Sequence, residues 1–158
     1  VAPRLFRARA LLHRSERKLA HGFNVMAARH HSDQDIYHLA RDMARWSQGH
    51  VGEPARHGRH YALRLSADPR TSAVTGFVQS RMSGLLRHRP EPGLALLADL
   101  HRLSAGVSLD WELLAQGAQA AKDSELLRLT SRCHPETLRQ MRWANAMLKE
   151  LSPQVLMN

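Results

Sequence analysis

Cysteine is almost missing from this chain: Cys133 stands alone among 158 residues. A single thiol excludes an intramolecular disulfide framework and any cysteine-rich zinc site. Aromatic residues make up only 5% of the sequence, and the apolar set is mostly Leu and Ala, a mix that favours helices over strands. No apolar run approaches the roughly 20 residues of a membrane span, and the N-terminus lacks the uninterrupted apolar core of a secretory signal. A cytoplasmic protein with no membrane partner is therefore expected. Arg4, Arg7, Arg9 and Arg14 give residues 3–14 a superficial likeness to an organelle transit peptide, but the apolar stripe runs on past Leu19 and Phe23 as one helix. Gly-x-Ser-x-Gly, phosphate-loop and dinucleotide signatures are missing too, so hydrolase, nucleotidase and dehydrogenase chemistries lack their simplest marks.

Lysine is also scarce. Three lysines accompany twenty arginines, which reads first as a coding bias. Residues 1–64 hold twelve Lys and Arg against five acids, whereas residues 94–158 hold seven of each. The positive charge thus collects in the N-terminal half, where nucleic acid phosphates or anionic lipid would feel it. No zinc finger, RNP sequence or basic zipper accompanies it, and the arginines read as spread around helical faces. A solvated or partner-facing surface comes first, and nucleic-acid binding through the basic half is the weaker alternative.

What is present is helical periodicity over nearly the whole length, sized for one domain, 1–158. The spacing predicts helices over about 4–31, 34–63, 92–121 and 124–151. In the first, Leu5, Ala8, Leu12, Leu19, Phe23 and Met26 define one face. Ser32 with Asp35 reads as a capping box opening the second, which carries Ile36, Leu39, Met43, Trp46 and His50 inward. Gly49, Gly52 and Pro54 should bend or loosen that helix near His50. A crossover over 66–91 follows, with a short helix bearing Phe77, Val78, Met82 and Leu85. Leu96, Leu97, Leu100, Leu103, Val107, Trp111, Leu114 and Ala118 make the third helix apolar around much of its girth, and the most buried. The fourth, capped by Asp123 or Ser124, carries Leu126, Cys133, Thr137, Gln140, Ala144, Met147 and Leu151. It should kink at Pro135 and stop at Ser152-Pro153.

Four polar residues stand in register with these stripes: Glu16, His50, Asp110 and Gln140. Buried polar groups must be paired, and Glu16 with His50 is expected to form a charge-assisted hydrogen bond that fixes the register of the first two helices. The favoured reading of all four is a buried polar network. Trp46, Trp111 and Trp143 read as packing anchors. Cys133-His134 is no dyad, because adjacent helical residues point about 100° apart, and a buried structural thiol is expected.

Two antiparallel helix pairs joined by a long crossover form an all-α four-helix bundle that resembles the ferritin-like superfamily. The segments Leu138-Arg-Gln140-Met-Arg-Trp143 and Lys149-Glu150-Leu151-Ser-Pro-Gln154 look like small bacterial ferritin-like domains. That resemblance implies a di-metal centre built from one carboxylate on each of two helices and Glu-x-x-His on each of the other two. This chain matches it incompletely. Glu16 fits the first carboxylate and Asp110 or Glu112 the second, but Ser47-x-x-His50 and Gln140-x-x-Trp143 replace the two motifs. The resemblance with this ligand count implies a non-catalytic bundle acting by binding or assembly, as a homo-oligomer or with a protein partner, with no cofactor. The alternative is a metal-binding oxidoreductase or storage protein in which Glu16, His50 and Asp110 hold iron, manganese or zinc.

Overall fold

The computed structural model describes residues 3–57 and 92–157. Four helices make up that structure, α1 Pro3–Arg29, α2 Gln34–His57, α3 Pro92–Ala120 and α4 Ser124–Met157, and no strand occurs among the described residues. The predicted crossover over 66–91 and the last residues of the predicted second helix lie outside them. No described helix is long and apolar enough to cross a membrane.

The helix boundaries follow from local chemistry. Asp33, not Ser32, caps α2: its side chain accepts from the Ile36 amide at 3.2 Å and its carbonyl accepts from Tyr37. The capping-box reading placed the cap one residue early, because the two types compete for the same role and only the turn geometry selects one. Asp123 caps α4 in the same way, accepting from the Leu126 amide at 2.9 Å. Just before it, Lys122 sits at φ 54°, while the Asp123 and Lys122 amides return to the Ala118 and Gln119 carbonyls. That pair of bonds closes α3 with a Schellman turn. Helix α2 continues through Gly49, Gly52 and Pro54, and α4 through both Pro135 and Pro153 to Met157. The predicted stop at Ser152-Pro153 is thus passed: a proline removes one backbone bond, which the rest of a long helix tolerates.

Packing pairs α1 with α2 and α3 with α4, and sets α1 against α3 and α2 against α4. Gly93 lies beside His30 and Gly117 beside Leu5, so α1 and α3 run antiparallel. His101 meets Met141 and Ser108 meets His134, making α3 and α4 antiparallel as well. It follows that α2 ends and α3 begins at opposite ends of the bundle.

The core is Leu12, Leu19, Phe23 and Met26 from α1, Ala40, Met43 and Ala44 from α2, Leu97, Leu100, Val107, Trp111 and Leu114 from α3, and Leu126, Cys133 and Ala144 from α4. Leu39, predicted inward, is exposed, and the small residues Ala40, Ala44 and Ser47 are buried on this helix in its place. Helix α3 does not bury its whole girth either: Leu109 and Leu113, one turn apart, are 54% and 59% exposed.

Close approach of α1 and α3 depends on a missing side chain. A Cβ at Gly22 would lie 2.8 Å from Leu100 Cδ2, whereas one at Gly106 would meet nothing within 4 Å. Gly106→Ala is therefore expected to stabilise the fold by about 0.5–1 kcal/mol through helix propensity. Gly22→Ala should lose that gain to overpacking of buried Leu100 and come out destabilising by about 1 kcal/mol. Urea denaturation of the two variants checks the opposite signs.

Candidate functional site

Every helix sends one polar group to a single level of the core. Glu16 projects from α1, His50 from α2, Trp111 from α3 and Glu136 from α4. Glu16 falls between Leu12 and Leu19 in the apolar stripe and is only 1% exposed. Its Oε1 accepts from His50 Nδ1 at 2.9 Å and from Trp111 Nε1 at 2.8 Å. On the far side of the imidazole, Nε2 donates to Glu136 Oε2 at 2.7 Å. The Trp111 ring meets the imidazole edge-on, with centroids 5.7 Å apart.

Two carboxylates on one imidazole demand that it be cationic, since both ring nitrogens must then donate. Burial alone would push the His50 pKa down; the hydrogen bond to Glu16 and its negative charge, with Cys133 nearby, override burial and raise it to about 10. Glu136, at hydrogen-bond distance from Nε2, acts in the same direction. His50 is therefore an imidazolium across the neutral range, and the site is a carboxylate–imidazolium–carboxylate bridge. Cys133 is a buried free thiol. His134, its neighbour in sequence, instead bonds Ser108 Oγ at 2.8 Å.

Asp110 is half-buried beside the bridge but forms no hydrogen bond with Glu16 or His50. Burial raises its pKa, and the negative charge of Glu16 adds to the rise. Glu112 points outward, 58% exposed, 3.8 Å from His134. One turn along, Gln140 Nε2 donates to the Met43 carbonyl and to Ser47 Oγ, both at 2.9 Å. Gln140 thus lies in a buried polar tier of its own with Ser47, beside Glu16 and His50. Glu16 Oε2, Thr137 Oγ1 and Gln140 Oε1 are buried without a hydrogen-bond partner among the described residues. Glu16, His50 and Trp111 line a cavity of about 10 Å³ with Arg9, His13 and Leu114, room for about one water molecule. His13 has its pKa lowered by burial and then by the charge of Arg17.

As a metal centre this donor set fits poorly. Both His50 nitrogens are committed to carboxylates, Ser47 and Gln140 bond one another, and Trp143 has no lone pair to offer and packs on Phe23 at 6.0 Å. Among the described residues no three His, Cys, Asp or Glu side chains are arranged to hold a metal ion. What the arrangement does chemically is clamp: it ties four helices together through one cation.

Periodicity missed Glu136 and the bonding role of Trp111. Glu136 lies three residues after Cys133 and four before Gln140, a spacing that sets it on the edge of their face. Trp111 is a packing anchor as expected, and is at the same time the indole donor that Glu16 needs. No protein-family model, curated protein or solved structure matches the chain.

Proposed function

We propose that this chain is a ferritin-like bundle that acts by binding or assembly and not by metal-centred catalysis. The observation that carries this reading is the fate of the two positions where glutamates of a di-metal centre are expected. Ser47 and Gln140 occupy them and bond to each other at 2.9 Å. A serine hydroxyl and an amide offer weak, neutral donors where two hard cations need bridging carboxylates.

The ferritin-like comparison is supported by helix order and direction: two antiparallel pairs, with α2 ending and α3 starting at opposite ends. Support for assembly as a homo-oligomer comes from Leu109 and Leu113, exposed one turn apart on α3, since apolar side chains grouped on a surface favour association.

Elemental analysis of protein purified without chelators, with its mass in solution, tests the reading. Far less than one iron, manganese or zinc per chain is expected, with a mass above that of the monomer. Glu16→Gln should lower stability by about 1–3 kcal/mol, by weakening a charged bond in the core, and should leave metal content where it was. Stoichiometric metal that disappears in Glu16→Gln would establish the metal-binding oxidoreductase or storage alternative instead.

A further inference from the structure

Helix α1 carries one acid, Glu16, and that acid is buried. Its outer side is a different matter: Arg4, Arg7, Arg14, Arg17 and Lys18 are all exposed. At 100° per residue, Arg4, Arg7, Arg14 and Lys18 fall within one 80° arc and Arg17 lies beside it, the arc centred about 110° round the axis from the stripe of Leu12, Leu19, Phe23 and Met26. The cations read from sequence as scattered are, on this helix, gathered on one face. They line about 21 Å of a straight rod, from Arg4 to Lys18.

Among the described residues neutralisation is missing there and present on α2 and α3. Arg45 pairs with Asp42 at 2.8 Å, Arg41 bonds and stacks on Tyr37, and Arg102 reaches Asp99. The five α1 cations form no ion pair or side-chain hydrogen bond among the described residues. The sequence between 58 and 91 holds six arginines against Asp68 and Glu91, so it has too few acids to balance them.

We propose that this face of α1 is a docking surface for double-stranded nucleic acid, held by its phosphate backbone without regard to sequence. The inference rests on the binding reading above and names the partner. Charge complementarity selects a polyanion, and guanidinium forks match phosphate oxygens two at a time. A membrane fits less well, because the apolar face that α1 would insert is spent on the core. Single strands fit less well too: no Phe, Tyr or Trp is exposed on α1 to stack on bases.

The test is fluorescence polarisation of a labelled 24-base-pair duplex of arbitrary sequence from 50 to 200 mM NaCl, using the full chain. Four or five phosphate contacts predict an affinity that falls by about 10²-fold over that range. The triple variant R7Q/R14Q/R17Q should bind weakly and lose about two to three from the slope of log K against log salt. It should keep its thermal midpoint, since none of the three side chains has a partner to lose among the described residues. Removing the same charge from α4, as R128Q/R139Q/R142Q, should leave the slope close to that of the parent. Absence of binding at 50 mM salt, equal loss in both triples, or tighter binding to phosphatidylglycerol vesicles than to duplex overturns the proposal. An assembled, metal-poor protein that ignores duplex would sink this inference alone, whereas stoichiometric metal would sink the reading beneath it.

Discussion

His50→Ala is expected to lower stability by about 3–5 kcal/mol, the cost of leaving a buried charge without its partner. The variant strips Glu16 of its cation and retains only the Trp111 bond to a carboxylate that is 1% exposed. For a domain of this size such a loss is a large fraction of the whole folding free energy. Equilibrium urea unfolding measures it. A double variant, Glu16→Met with His50→Leu, should cost less than the sum of the two single changes, because two apolar groups replace a matched pair. Trp111 would still lose its acceptor, so recovery will be incomplete. A loss under about 1 kcal/mol for His50→Ala would mean that the bridge does not hold the bundle.

Alkaline pH should weaken the fold through the same residue. The folded-state pKa of His50, about 10, lies above its ordinary value of 6.5. A histidine with a raised pKa contributes stability that is complete below about pH 6.5 and disappears as pH climbs through about 10. The full contribution is on the order of 5 kcal/mol by linkage, and this is an upper figure. Urea unfolding at pH 6, 8 and 10 should show a steady fall in the parent and a much flatter profile in His50→Gln. Asp110 acts in the same direction in a lower pH window: its raised pKa marks a carboxylate that folding disfavours in the ionised form, so stability falls as pH rises through its titration and the cost is present once it is ionised. Equal slopes in the parent and His50→Gln would assign the alkaline loss to other groups.

Much of this could be read before any coordinates. Apolar residues at spacings of three and four gave four helices, because burial of one stripe per helix is the dominant favourable term. The same logic placed Glu16, His50 and Gln140 inside, as polar residues in apolar register. Glu136 escaped because it lies on the flank of its stripe and is one-third exposed; on one helix alone it looks like a solvated charge, and only the position of α2 shows what it bonds. Leu39 failed the other way: it fits the period, but it is the small residues Ala40, Ala44 and Ser47 that are buried. Which of Ser32 and Asp33 caps α2 turned on the path of a short turn, which composition does not encode. The gathering of cations on α1 does not show in the charge balance of the chain, only around the axis of that one helix.

Glu16, His50, Trp111 and Glu136 come from four different helices, so the knot at the centre can be tied only when the last of them arrives. A hairpin slipped by a single turn would strand an acid in oil with nothing to answer it. The chain thereby carries its own proofreading: wrong registers are penalised by bare charge, and the native one is the alignment in which every helix delivers its group to the same floor.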